Sequence, residues 1–426
     1  MLSENIHNNY IKILKEELVE AMGCTEPIAL SYGGAKIRQI LGERPKSIVA
    51  KCSGNILKNV RCVTIPNSGG LTGIDTAVWL GVLGGDPSKD MDVLSTVDDL
   101  ARQEMQKEIA AGSCKIEYLE SPIPLHIIIE AESENHHAKL EIRHTHINVT
   151  DVCKDGQHIF HSDKEEVSFE PADRSLLNLT DIKTFADTVD IKEIRTLIED
   201  QIRCNMEIAY EGMAGNFGVG LGKIIKSSYP EGVVSRMKAY TAAASEARMG
   251  GCDMPVVINS GSGNQGIATS VPVIVYAREN NIPREKLYRA LVFSNLVTIY
   301  QKKFIGTLSA FCGAVSAACS AGAALTYING GDLKAIAATI DNTMANIPGI
   351  ICDGAKVSCA AKIATCLDAA IMSHYMAMQG RFYRAHTGII QDEVGKTISS
   401  VGYIGRVGMM QADKEIIHLL VTDSSH

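Results

Sequence analysis

The sequence predicts an α+β fold: an α/β domain with a mixed sheet, then a larger, mostly helical domain. Three observations carry this reading. Between about Pro45 and Val189, short β-rich runs recur ("SIVAKCSG", "CKIEYLE", "LHIIIEAE", "KLEIRHTHINV"), with the helical "TVDDLARQEMQKEIAAG" among them. From about Asp190 onward strands become rare and long Ala- and Met-rich helical patterns dominate. The 426 residues, 46% of them hydrophobic, suffice for a large core and two domains. The division expected is residues 1–45 as helices packed at the domain interface, 46–190 as the α/β domain and 191–426 as the helical domain.

Taken in order, Ile6, Tyr10, Ile13, Leu14, Leu18 and Ala21 share one face of a helix over residues 4–21. "MGC" ends it. A second helix starts around Pro27, with Thr25 placed to cap it. In the helical half the patterns are "IKEIRTLIEDQIRCNMEIAYEGM", "LYRALVFSNLVTIYQKK", an uncharged run from Phe304 to Gly331, and "AKVSCAAKIATCLDAAIMSHYMAM". The uncharged run is long enough to span a bilayer. Its Ala, Ser and Gly gain little from lipid, so it reads as a helix buried in protein, and no membrane span is expected.

A net charge of −8 without a long basic run makes nucleic acid and anionic membrane poor partners. Charged residues from Glu4 to Glu17 interrupt any apolar run at the N-terminus, so no export signal is read. The 12 cysteines are then expected as reduced thiols in the cytoplasm, for packing, metal binding or catalysis. The Ala-rich helical half raises the expectation of a homodimer.

"VVINSGSGNQGIA" contains Gly261-Ser262-Gly263-Asn264-Gln265-Gly266, a G-x-G-x-x-G match. A dinucleotide fingerprint needs a strand before it, a helix opening at its end, and an acid closing the next strand. Met254–Ile258 supplies the strand. Pro272 and the β-branched residues around it argue against the helix, and no second strand with a closing acid follows. The preferred readings are a loop whose backbone N–H groups and small polar side chains suit a carboxylate, or a plain tight connection. Two other stretches have the same texture. One holds Ser53, Gly54 and Asn55, then Lys58 and Asn59; the other holds Asn67, Ser68, Gly69 and Gly70. Each follows a β-like run, where functional loops commonly sit.

Among the cysteines, Cys24 lies just before a helix N-terminus, which favours the thiolate, while Glu26 pulls the other way. Such a thiol suits a base or nucleophile, or is a buried residue in a helix corner. Cys352 and Cys359 are too far apart on one continuous helix to serve a compact cluster. Pro348, Gly349 and Gly354 break that helix, however, leaving Cys352 in a loop with Asp353 able to cap the helix that carries Cys359. Cys312 would join from the neighbouring buried helix, with Gly313 leaving room for something bulky. Three thiolates facing one point would leave one iron of a [4Fe–4S] cluster open. By spacing alone, core packing remains the better reading. Cys319 and Cys366 read as packing, with either available as a fourth ligand.

Taken together, "MGCTEP", "SGNILKN", "IPNSGG", "GSGNQG", "FCG" and "CDGAKVSC" resemble the L-cysteine desulfidase family, itself related to the iron–sulfur L-serine dehydratases. The resemblance runs from Glu17 to the C-terminal region. It implies an oxygen-sensitive [4Fe–4S] cluster, expected to be lost in air, on Cys312, Cys352 and Cys359. It implies Cys24 as proton acceptor, no pyridoxal phosphate, and conversion of L-cysteine to sulfide, ammonia and pyruvate. The three small-polar stretches, with Ser53, Gly54, Asn55, Asn67, Ser68, Gly69, Ser262, Asn264 and Gln265, would bind the two ends of the small amino-acid substrate. Two alternatives stand beside this: a serine- or threonine-type dehydratase on the same scaffold, and a non-enzymatic cysteine-binding or redox-sensing protein. The segment containing His136, His137, His144, His146, His158 and His161 fits the family less clearly. His144 and His146 would share one face of a strand, read as a solvated edge strand rather than a metal site.

Overall fold

The computed structural model describes residues 2–162, 171–306 and 309–422. Helix α1 (Glu4–Glu17) is capped by Ser3, whose hydroxyl accepts from the Ile6 N–H. It stops short of Ala21 because β1 (Glu20–Met22) pairs antiparallel with Pro255–Val257, far along the chain. Helix α2 (Thr25–Leu41) tolerates Pro27 in its first turn. Its N-cap is Cys24 rather than Thr25, whose hydroxyl turns to the Glu26 carboxylate and the Gly261 carbonyl.

The sheet layer follows: β2 (Ser47–Ser53), α3 (Gly54–Val60), α4 (Ile74–Gly84), a 3-10 segment at Pro87–Thr96, α5 (Asp99–Ala111), then β3 (Cys114–Leu119), β4 (His126–Glu132), β5 (His137–Arg143), β6 (Val149–Lys154) and β7 (Gln157–His161). The strand order is β3-β2-β4-β5-β6-β7, with β2 and β3 parallel and the other pairs antiparallel, so the sheet is mixed as expected. Ile127, Ile129 and Ala131 of β4 alternate with more exposed residues and stand opposite Cys52, Ala50 and Ile48 of β2. That period of two directs one face of the sheet into a core shared with α2 and α4. The two helices touch backbone to backbone: a Cβ on Gly81 would lie 2.0 Å from the Ser31 carbonyl oxygen.

The helical layer contains α6 (Leu179–Thr188), α7 (Ile191–Ala214), α8 (Leu221–Ser228), α9 (Val233–Met249), β8 (Pro255–Val257), α10 (Gly263–Glu279), α11 (Arg284–Ile305), α12 (Gly313–Ile328), α13 (Leu333–Asn346), α14 (Cys359–Met378), α15 (Val394–Tyr403) and α16 (Met410–Thr422). Tyr10, Ile13 and Leu14 of α1 belong to this layer's core, whereas α2 belongs to the sheet's, so the first two helices part company. The uncharged run yields α12, buried on almost every side. Among the described residues no helix is long and apolar enough to cross a membrane.

Helix α10 corrects the sequence reading, because it runs straight through Pro272. Most of its residues are buried, so packing on every side outweighs the hydrogen bond that proline removes. The glycine-rich turn therefore does link a strand to a helix. Yet β8 pairs antiparallel with β1, not within a parallel βαβ unit. Gly266 is required by contact: a Cβ there would lie 2.1 Å from the Val257 carbonyl oxygen. Gly266→Ala should destabilise the protein by about 1–3 kcal/mol through overpacking, read as a lowered thermal midpoint. An unchanged midpoint would contradict this packing.

Candidate active site

Residues from both cores line a cavity of about 450 Å³. Four helices begin at its wall: α2 behind Cys24, α10 behind Ser262, α12 behind Cys312, and α14 at Cys359. Helix starts carry unpaired N–H groups and the positive end of the helix dipole, so their convergence favours anions and thiolates.

Cys312, Cys352 and Cys359 all line this cavity. A short antiparallel bridge between Phe311 and Ile351 sets the first two side by side. The Cys312 N–H donates to the Ile350 carbonyl at 2.9 Å, and the Cys352 N–H to the Ala310 carbonyl at 2.7 Å. Cys352 is in a loop, as the breaks around it suggest. Asp353 does not cap α14, however. Its carboxylate pairs with Lys356 at 2.6 Å and with Lys362. The loop presses on α3, since a Cβ on Gly354 (φ +102°) would lie 2.0 Å from the Lys58 carbonyl oxygen. Cys359 donates to the Gly354 carbonyl at 3.7 Å.

The neighbouring Cys352 thiol and then burial push Cys312 well above the ordinary thiol range. At Cys352 the neighbouring Cys312 thiol, Lys58, the Gly354 N–H and Lys362 outweigh burial and hold the thiol below that range. Lys302 is buried beside the same two thiols; burial lowers its pKa and the thiols oppose this. Cys319 and Cys366 are fully buried and pack in the helical core, away from the cavity wall. Among the described residues no three His, Cys, Asp or Glu side chains close on a point as a single metal ion would require. A four-iron cluster is instead held at its corners by thiolates around a space. Three cysteines ringing one cavity, among cations and helix N-termini, fit that group in donor chemistry and in room.

Cys24 lines the same cavity. Its thiol donates to Glu26 Oε2 at 3.2 Å. Burial first, and then the Glu26 charge, push the thiol far up, against the pull of Arg248. The helix N-terminus therefore loses the contest that the sequence left open. Glu26 is itself buried. Burial works to raise its pKa, but nearby His146 and hydrogen bonds from its own backbone, Cys24 and Thr25 hold it lower. Asn59 donates to its other oxygen at 2.9 Å. Arg248, 2% exposed, donates from one terminal nitrogen to the Gly23 carbonyl at 2.6 Å. A Cβ on Gly263 would lie 2.2 Å from Arg248 Nε, so glycine at the start of α10 makes room for the guanidinium.

Of the three small-polar stretches, Ser262, Asn264 and Gln265 line the cavity. Asn264 Oδ1 accepts from Ser245, and Gln265 Oε1 is buried without a partner among the described residues. Gly313 makes room for the Gln265 amide rather than for anything bulkier: a Cβ there would lie 2.5 Å from that group. Ser53, Gly54 and Asn55 do not line the cavity. Ser53 closes β2 and donates to the Pro124 carbonyl at 2.6 Å, while Gly54 starts α3 tight against Ile417 of α16. Lys58 and Asn59, one turn further, face the cavity in their place. Asn67, Ser68 and Gly69 are also outside its wall. They form a turn tied by Asn67 Nδ2 to the Leu94 carbonyl and by Ser68 to Leu71.

His144 and His146 are not on a strand. They sit in the connection between β5 and β6, and with Thr145 and Asn148 they line the cavity. His158 and His161 remain on the exposed β7, each 3.1 Å from Asp151 Oδ1, and His136 bonds Asp155 at 2.8 Å. Sequence reasoning passed over Arg248 and Lys302. For Arg248 the available signal was a single cation in the Ala-rich helical stretch "YTAAASEARMGG".

A family model described as the serine dehydratase alpha chain matches residues 88–418, a span that contains Cys312, Cys352, Cys359, Arg248 and Gln265. Cys24, Glu26, Lys58 and Asn59 lie before it. The chain is also similar along its whole length to proteins named only UPF0597. One from Lachnoclostridium phytofermentans is 43% identical over 98% of this chain and all of that relative. One from Desulfitobacterium hafniense is 43% identical over 99% of this chain and 98% of that relative, and one from Treponema denticola 42% over 99% and 100%. A match over most of the chain that takes in Cys312, Cys352 and Cys359 places this protein in the serine dehydratase alpha chain family.

Proposed function

We propose that the protein is an iron–sulfur lyase that converts L-cysteine to sulfide, ammonia and pyruvate by β-elimination. Family membership supports dehydratase-type lyase chemistry. The observation that carries the reading further is that Cys24 and the three candidate ligand cysteines share one cavity. β-Elimination needs a base for the α-proton and help for the leaving group. A cluster held by Cys312, Cys352 and Cys359 would supply, at its open iron, a Lewis acid for the leaving sulfur. The remaining work falls to the chain. Ser262, Asn264 and Gln265, at the start of α10, hold and orient the amino acid. Cys24, in its thiolate form, takes the α-proton, and the thiol so formed returns that proton to solvent after the products leave. The burial that raises this thiol also keeps bulk water from the reacting atoms.

A second reading, dehydration of L-serine or L-threonine, is favoured by the description of the matching family. Full-length protein reconstituted anaerobically with iron and sulfide separates the two. Sulfide and pyruvate released in equal amounts from L-cysteine support desulfidation. Pyruvate from L-serine, with no sulfide from L-cysteine, would establish the dehydratase instead. Release of neither product would reject both readings.

A further inference from the structure

Two buried charges lie close to Cys24 and face the cavity without pairing with each other. One is Glu26, which accepts from the Cys24 thiol at 3.2 Å and from Asn59 at 2.9 Å. The second is Arg248, anchored at 2.6 Å on the carbonyl of Gly23, the residue before Cys24. Arg248 Nε has no hydrogen-bond partner among the described residues. No ion pair among them joins Arg248 to Glu26, although both line the cavity. Burying a charge is costly unless it is paired, so a buried guanidinium with an unused donor marks a site that an anion completes. The start of α10 lies beside it, with Gly263 against the guanidinium, and adds its own unpaired N–H groups. Opposite in sign, Glu26 offers a buried acceptor to a cation.

We infer that Arg248, with the N-terminus of α10, binds the carboxylate of an α-amino acid and that Glu26 binds its α-ammonium, so that the cavity selects zwitterions. This rests on the lyase reading and names the recognition elements within it. The two charged groups of an α-amino acid hang from one carbon. A ligand bridging Glu26 and Arg248 therefore places that carbon near Cys24, which bonds Glu26 and directly follows the residue that anchors Arg248. A 2-hydroxy acid or a simple carboxylate engages only half of the site.

Calorimetric binding to the full-length protein tests this with three probes that cannot undergo β-elimination: L-alanine, propionate, which lacks the ammonium, and ethylamine, which lacks the carboxylate. The wild-type protein should bind L-alanine at least about tenfold more tightly than either fragment, the ordinary worth of a charged hydrogen bond. Glu26→Gln should abolish the advantage over propionate while keeping that over ethylamine. Arg248→Gln should do the reverse. Cooperative thermal melting checks that each variant is folded, and if one is not, the wild-type comparison of the three probes decides. Wild-type protein that binds the three equally, or binds none, overturns the proposal. So does a folded variant that loses affinity for all three alike. Sulfide and pyruvate release is measured separately, so a protein that discriminates zwitterions yet releases neither product refutes the lyase reading and leaves the recognition site standing.

Discussion

Replacing Cys312, Cys352 or Cys359 by Ser is expected to abolish the visible iron–thiolate absorbance of anaerobically reconstituted protein, and with it all turnover. The intact protein should hold about four iron and four sulfide per chain. Cys319→Ala and Cys366→Ala should retain both, because these side chains pack in the helical core away from the cavity. The contrast is informative because all five thiols are substantially buried, so burial alone predicts no difference in metal content. What separates them is the cavity. The bridge between Phe311 and Ile351 aligns two of the three, and the first turn of α14 presents the third. If all five variants retain a full cluster, the ligand assignment is wrong.

Cys24→Ser is expected to keep the cluster and lower turnover by roughly 10² to 10⁴, the usual worth of a positioned acid–base group. Exchange of the substrate α-proton with deuterated solvent should fall in parallel. A serine hydroxyl can still donate to Glu26, so the local hydrogen bonding survives the change. A purely structural Cys24 would respond differently. The change would then act on stability alone, read as the thermal midpoint, while turnover per folded, cluster-bearing chain stayed near normal. Early melting with a wild-type rate per cluster would sink the catalytic role.

The candidate site was legible where chemistry shows in residue type. Cysteines at helix breaks, the acid two residues after Cys24, and the Ser-Gly-Asn-Gln turn all announce themselves in one dimension. The residues that lie outside the cavity wall do so for identifiable physical reasons. Ser53, Gly54 and Asn55 read as a polar loop, but β2 passes directly into α3, and the helical turn moves the cavity-facing positions on to Lys58 and Asn59. Asn67, Ser68 and Gly69 spend their hydrogen-bonding groups on their own turn. His144 and His146 were read on a strand, whereas the chain turns there with His144 at φ +68°. Pro272 was weighted as a helix breaker, and packing around α10 overrode it.

By itself the sequence determined the class of the fold, the mixed sheet before the helices, and the reading of the uncharged run as a buried helix. Each depends on periodicity and composition, which act over neighbouring residues. Tertiary structure alone decided the convergence of four helix N-termini on one cavity, the pressing of Gly354 against Lys58, and the anchoring of Arg248 on Gly23 beside Cys24. The Gly354–Lys58 and Arg248–Gly23 contacts join residues more than 200 positions apart, and no local propensity records them. The protonation of Cys24 belongs with them. A helix N-terminus favours the thiolate, but the extent of burial and the approach of Glu26 exist only once both layers have closed around it.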